Sequence, residues 1–364
     1  MNSGFVDDIG LIRNAASAEE TYERMKAKLS GVVPDFELRH KAELAFKINR
    51  LKRKRNAVIL AHNYMEPALY HSVADYQGDS LELARISAES DADTIVFCGV
   101  KFMAETAKIL SPTRTVLLPA LNAGCSLAAS ITGDDVRRLK EQSPGVPVVS
   151  YVNTYADVKA ETDICCTSSN AARVVQYLAA KGHKRIIFLP DEYLAKNVAI
   201  ETGIPIIFPS LPGYQKSDDP ENLERALIGW HGRCEVHEKF TVDDINNVRR
   251  QFPDTVILAH PECSPDVVAA SDFSGSTKAM IDYVRNVAAP RYLLLTECAM
   301  GDNVAAENPE REMLRLCSVR CPHMNLITLE DTLAALEKNQ YEIVLPEDII
   351  NRARASLDRM LEIG

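Results

Sequence analysis

Apolar residues in this chain gather in short continuous runs that end in polar loops, and three of the runs have one form: NAVILAHNY from Asn56, VPVVSYVNT from Val146 and DTVILAHPE from Asp254. Such a run, bounded by turn formers, suits a strand buried on both faces, where neither side can be polar. A second strand-like run follows each: TIVFCGVKF at 94–102, DICCTSSNA at 163–171 and DFSGSTKAM at 272–280. A third set follows at TVLLPALNAGC, RIIFLPDEYLAKN and RYLLLTECAMGDN. Second and third runs begin at 94 and 115, 163 and 185, and 272 and 291, near-equal steps that predict a duplicated unit. Helix-like stretches such as DSLELARISAES and NAARVVQYLAAKG lie between, and alternating β and α predicts parallel sheets covered by helices on both faces.

The expected fold is therefore α/β, with three pseudo-repeated three-layer α/β/α domains whose short parallel sheets surround a central cavity. Their limits are placed at 37–125, 126–234 and 235–324, after a charged helical extension over 1–36. Two amphipathic helices in 325–364, the first opened by Thr328 with Asp331 three residues on, are expected to pack on the first domain. In open parallel sheets functional groups collect beyond the carboxyl ends of the strands. Those ends carry His62, Asn63 and Tyr64, then Tyr151 and Asn153, then His260 and Glu262, so three domains around one axis would direct them at a single cavity.

Length and charge narrow the reading. The 364 residues are too many for one small core, and 46% hydrophobic with 25% charged residues is ordinary globular composition. A net charge of -10 speaks against a nucleic-acid partner, which calls for a basic stripe. No apolar run reaches the roughly 18 residues needed to cross a bilayer, and the first ten residues carry Asp7 and Asp8 without an apolar core, so a cytoplasmic location with no membrane partner is expected. Nine cysteines in such a chain point to thiols, metal ligands or core residues rather than disulfides.

Cys125, Cys234 and Cys321 each lie in a turn-rich stretch after one repeated unit, but their wide separation makes a weak metal signal on spacing alone. The plain alternative is that the cysteines are small apolar fillers. Cys98, Cys165 and Cys166 sit inside strand-like runs, Cys263 and Cys298 have no evident role, and Cys317 competes with Cys321 within CSVRC. Asp79 with Ser80, Ser168 with Ser169, and Ser276 with Thr277 each open a helix-like stretch, where they either cap the helix or hold a carboxylate or phosphate at its free amides. Among the histidines, His62, His237 and His260 stand beside other polar groups in loops.

Taken in order, AHNY, GDSLELAR, GVKFMAETAKIL, CSL, YVNT, TSSNA, FLPDEYLAKNV, GRCEVHE, AHPEC, SGST and CPHM resemble the quinolinate synthase family, from His62 to Met324. The resemblance implies a 4Fe-4S cluster held by Cys125, Cys234 and Cys321, with one iron open, at the centre of the three domains. It implies that iminoaspartate and dihydroxyacetone phosphate condense to quinolinate for NAD synthesis, releasing phosphate and water, with a functional link to L-aspartate oxidase. Around the substrate it places His62, Tyr64, Ser80, Tyr151, Asn153, Ser168, His237, His260, Glu262, Ser276 and Thr277. Glu262 and His260 would carry the main proton transfers and Tyr64 and Tyr151 would serve oxygen intermediates, while Ser80, Asn153, Ser168, Ser276 and Thr277 would hold anionic groups. Rival readings are a hydro-lyase using the same cluster on another small acid and a non-catalytic iron-sulfur sensor. A dinucleotide-binding oxidoreductase is disfavoured, because no GxGxxG follows the first strand.

Overall fold

The computed structural model describes residues 8–208, 225–316 and 319–364, and these form three short all-parallel sheets flanked by helices. In spatial order the first sheet is Tyr76–Gly78, Ala57–His62, Thr94–Cys98 and Thr115–Leu117. The third is Phe273–Ser274, Thr255–Ala259, Arg291–Leu295 and Glu312–Leu314. The second is Ile164–Cys166, Val148–Tyr151, Arg185–Leu189 and Ala226–Ile228, with Ile206–Ile207 at its edge. In every sheet the first strand of the unit lies inside, so Ile59, Leu60, Val148, Val149, Ile257 and Leu258 are fully buried, and their runs are the most continuously apolar.

Parallel pairing and alternation are as expected, but the repeat is not the one that the run spacings suggest. TIVFC is the third strand of its unit, and the second is Tyr76–Gly78, a Tyr-Gln-Gly segment that no hydrophobic pattern marks. The step from 94 to 115 therefore joins third to fourth strands, while those from 163 and 272 join second to third, and their likeness is accidental. In true register the strands start at 57, 76, 94 and 115 in the first unit and at 255, 273, 291 and 312 in the third, the same to within one residue at each step. The second unit departs from this at its second strand, its first three strands starting at 148, 164 and 185, and again after the third, where it carries the edge strand. RIIFLPDEYLAKN and RYLLLTECAMGDN change from strand to helix midway, because the Asp191 and Glu297 carboxylates accept the amides of Leu194 (2.7 Å) and Ala299 (2.6 Å) and cap new helices.

Three aspartates fix the register. Asp75, Asp163 and Asp272 stand just before the second strands, and each carboxylate accepts a first-strand amide, those of Ile59, Val148 and Ile257, at 2.8 Å. Each aspartate also donates its own amide to the carbonyl of that same residue. Asp35–Lys54 and Leu329–Lys338 pack together over the first sheet, and Ser80–Glu89 and Lys101–Leu110 form a second pair. Glu347–Ile363 lies partly outside the first unit, where both C-terminal helices are expected. Its buried face of Ala353, Ser356, Leu357 and Met360 is shared with Ala156–Ala160 and Ile164–Cys166 of the second unit. Among the described residues no helix is long and apolar enough to cross a membrane.

Because the bond from Asp163 replaces a ladder bond that the short second strand cannot supply, Asp163→Ala should lower the unfolding free energy by about 1.5–3 kcal/mol. Asp163→Asn, which keeps an acceptor, should lose clearly less. Urea unfolding measures both.

Candidate active site

One cavity of about 650 Å³ collects the carboxyl ends of the first strands, the starts of helices and three turns. Its lining comes from equivalent positions of the three units. At the end of the first strand stand His62, Tyr151 and His260, and two residues on come Tyr64, Asn153 and Glu262. Five residues after the register-setting aspartates come Ser80, Ser168 and Thr277. All of these line the cavity, together with His237, Cys125, Cys234 and Cys321. Ser276 does not line it. Its hydroxyl accepts the Ala279 amide at 3.3 Å and caps the helix Thr277–Asn286, as Asp79 caps Ser80–Glu89, and Thr277 is the residue that faces the cavity.

Each of the cysteines lies at the start of a 3₁₀ turn, Ala128–Ser130, His237–Lys239 or Met324–Leu326. Each sulfur faces the backbone amides two and three residues on: Leu127 and Ala128, Val236 and His237, His323 and Met324. After each turn a threonine, Thr132, Thr241 or Thr328, caps the next helix by accepting the amide of Asp135, Asp244 or Asp331. The sequence CSLAASITGDD recurs as CEVHEKFTVDD and CPHMNLITLED, so one pattern, C-x6-T-x-[DE]-D, fixes all three thiols. It selects Cys321; the competing Cys317 lies outside the described residues.

Burial pushes these thiols up, Cys125 to about 12, Cys321 to about 11 and Cys234 well above its ordinary value, so a bound cation would favour the thiolate forms. Three soft thiols with amide donors at sulfur, brought to one cavity, are a donor set suited to an iron-sulfur group. A mixed set, Cys234, His237 and Glu262, has ligand atoms within 4.8 Å of one another and would suit a single ion. His237 and Glu262, however, are already engaged with each other and with neighbouring hydroxyls.

Those engagements form a continuous chain across the cavity. The Tyr151 hydroxyl donates to Glu262 Oε1 at 2.5 Å, and His237 Nδ1 donates to Glu262 Oε2 at 3.0 Å, with Cys234 Sγ 3.2 Å from the same nitrogen. On its far side His237 Nε2 lies 3.0 Å from the Thr296 hydroxyl, which in turn shares a 2.5 Å hydrogen bond with the Tyr64 hydroxyl. Asn153 Nδ2 adds a longer contact of 3.4 Å to Glu262. The Glu262 amide donates to His260 Nδ1 at 3.2 Å, which leaves the His260 proton on Nε2, facing Ser168 Oγ at 3.4 Å. His62 accepts the Tyr64 amide in the same way, at 3.3 Å.

Burial alone would push Glu262 up, yet the electrostatic attraction of His237, then its hydrogen bond, with His260 and the Tyr151 bond behind them, outweigh it and hold the carboxylate below its ordinary range. Burial, and then the Glu262 charge, push Tyr64 and Tyr151 well above the usual phenol range, so both stay protonated. Burial pulls His62 and His260 down to about 3 and keeps them neutral. The site therefore holds one base, two weak acids and two neutral imidazoles.

Residues 46–362 match the family described as quinolinate synthetase A protein. The chain belongs to that family. It is 53% identical over 313 residues to "Quinolinate synthase 2" of Mesorhizobium japonicum, covering 86% of this chain and 89% of the relative. It is 50% identical over 357 residues to "Quinolinate synthase" of Agrobacterium fabrum, covering 97% and 94%. With its namesake of Sinorhizobium medicae the identity is 46% over 360 residues, covering 99% and 93%.

For this quinolinate synthetase A member the sequence reading misses Thr296, which joins Tyr64 to His237, and Phe102 and Met103 on the apolar wall. Thr296 follows the apolar run RYLLL as His62 and Tyr151 follow theirs, a signal that could have found it. The two Met and Phe positions look like ordinary helix core.

Acid should weaken this fold in a defined window. His62, His71 and His260 bind protons near 6.5 when unfolded but only near 3 in the structure, because of burial. The unfolded chain then binds more protons between those values, so stability is complete above pH 6.5 and falls as pH drops toward 3. The slope should be about 1.4 kcal/mol per pH unit for each histidine. Urea unfolding between pH 7 and 5 tests this, and His71→Leu, away from the cavity, should remove one histidine's share.

Proposed function

We propose that this protein condenses iminoaspartate with dihydroxyacetone phosphate to quinolinate, releasing phosphate and water, in the cytoplasmic synthesis of NAD. The observation that carries the reading is the hydrogen-bonded chain from Tyr64 through Thr296, His237 and Glu262 to Tyr151, in a cavity that also collects three thiols. Membership of the quinolinate synthetase A family supports it. A labile, dianionic imine is best handled among buried residues, since bulk water would hydrolyse it and quench carbanions. An L-aspartate oxidase would supply it.

In this reading Glu262, ionised and next to two donors, takes the proton from carbon 3 of iminoaspartate as the carbon-carbon bond forms. Tyr151 and Tyr64, held protonated, give protons to oxygen as carbonyl and hydroxyl groups form and leave. His260, neutral, offers its Nε2 proton as a hydrogen bond to a substrate oxygen in the cavity, and His237 keeps Glu262 in place. Ser80, Ser168 and Thr277, with His62 and Asn153, receive the carboxylates and the phosphate. The net charge of -10 gives these anions no general attraction, so hydroxyls and helix starts must do so locally. Ser276 serves indirectly, by capping the helix that presents Thr277.

Cys125, Cys234 and Cys321 would hold a 4Fe-4S cluster, one thiolate from each unit, with one iron left without a protein ligand. When bound, the group supplies an electron-pair acceptor for an oxygen of the substrate, beside the Glu262 and tyrosine proton carriers.

Anaerobic purification followed by iron and sulfide analysis and a quinolinate assay on the same sample tests the reading: about four irons per chain with quinolinate formed is expected. A full cluster without quinolinate favours a hydro-lyase acting on another acid or a sensor. Any of Cys125→Ser, Cys234→Ser and Cys321→Ser should abolish turnover while circular dichroism shows the fold retained; three active, cluster-free variants would sink the assignment. Glu262→Gln keeps the shape and loses the base, so kcat should fall by about 10²–10⁴-fold.

A further inference from the structure

The loops that end the three first strands are each gripped in the same way. Asn303 Nδ2 donates to the carbonyls of Asn63 (3.1 Å) and Met65 (2.8 Å), on either side of Tyr64. Asn197 Nδ2 donates to those of Pro261 (2.8 Å) and Cys263 (2.9 Å), on either side of Glu262. Lys159 Nζ donates to Val152 (2.9 Å) and to Thr154, on either side of Asn153. We infer that Asn303, Asn197 and Lys159 are positioning residues that set where Tyr64, Glu262 and Asn153 point into the cavity.

The grip of the two asparagines crosses between units. Asn197 and Asn303 occupy one equivalent position, six residues after the helix caps Asp191 and Glu297. A helix of the second unit thus holds the loop of the third, and a helix of the third holds the loop of the first. In the first unit the matching position is Thr106, whose hydroxyl turns back to the Phe102 carbonyl at 2.8 Å. That helix offers no amide, and the second unit's loop is held by its own Lys159 instead, fully buried with its ammonium 5.5 Å from the centre of the Phe102 ring. One NH₂ or ammonium between two carbonyls fixes both peptide planes around a site residue and so fixes the direction of its side chain.

The inference rests on Tyr64 and Glu262 carrying proton transfers. Its test compares Asn197→Leu and Asn303→Leu with Asn308→Leu, which removes a buried amide bonded within the same helix as Asn303, to the Val304 carbonyl at 2.8 Å, and touches no site loop. The clasp variants should lose about 10²-fold in kcat with little change in KM or iron content, since a displacement of about 1 Å costs that much. Asn308→Leu should lower Tm without that loss. In Asn197→Leu the acid limb of the kcat profile should also move to higher pH as Glu262 loses its partners, and in Asn303→Leu it should stay. Activity lost only in proportion to Tm, as in the control, overturns the inference, as does kcat within twofold of wild type in folded Asn197→Leu. Asn197 is partly exposed, which favours a folded variant should Asn303→Leu fail to accumulate. A crystal structure of Asn197→Leu gives an answer independent of activity: Glu262 still on Tyr151 and His237 refutes the clasp, whereas full activity in Glu262→Gln counts against the functional reading alone.

Discussion

Everything in the centre of this molecule depends on keeping one carboxylate charged where water does not reach. Glu262 is 3% exposed, and an ionised group so placed is costly unless donors surround it. The donors come from separate pieces of chain: Tyr151 from the end of a strand in the second unit, His237 from the turn after Cys234, and Asn153 from the loop beyond Tyr151. His237 belongs to the same unit as Glu262, but Tyr151 and Asn153 can reach it only when the second and third units are docked. Docking and the protonation state of the site are therefore one equilibrium, and a fault in packing far from the cavity would show itself as a change in acid-base behaviour.

The same charge limits what else the cavity can hold. Glu262 already disfavours ionisation of Tyr64, Tyr151 and Cys234. Adding three thiolates and two anionic substrates to it, in a chain with net charge -10, would be prohibitive without positive charge close by. The compensation that the chain itself offers consists of backbone amides at each sulfur and helix starts at Ser80 and Thr277. The buried Lys159 ammonium lies behind the Phe102 wall, and burial pulls its pKa down, so its charge is itself conditional on nearby anions. Without such compensation the three sulfurs stay protonated thiols, the direction in which burial already drives them.

How much of this was legible in the sequence follows from which signals are local. Glu262, His260, Tyr64 and Tyr151 stand at the ends of long apolar runs, where a strand meets a loop, and periodicity alone puts them at the carboxyl edge of a sheet. Tyr76–Gly78 is invisible because its strand character comes from pairing with Leu60, Ala61 and His62, not from its own side chains. Ser276 and Thr277 could not be told apart until the cap was seen, since either hydroxyl suits a helix start. Lys159, in YADVKAET, reads as a surface lysine on a short helix; only the tertiary fold removes it from water. The cysteines were obscured for a different reason. Their regularity lies in the distance from each thiol to its own helix cap, not in the distance from one thiol to the next.

That regularity explains why the units have diverged unevenly. Around the three sulfurs the units have the same residue, the same turn and the same capping threonine, as a group shared by all three would require. Where the chemistry needs a base, an acid and a neutral donor, identical arms would be useless, and the equivalent positions carry Tyr64, Asn153 and Glu262. The hydroxyl positions, Ser80, Ser168 and Thr277, lie between these extremes, since each has only to present an oxygen at a helix start. Symmetry thus holds at the cysteine turns and is absent two residues beyond the ends of the first strands, so the hydrogen-bonded chain through Glu262 is built from the positions at which the three units differ.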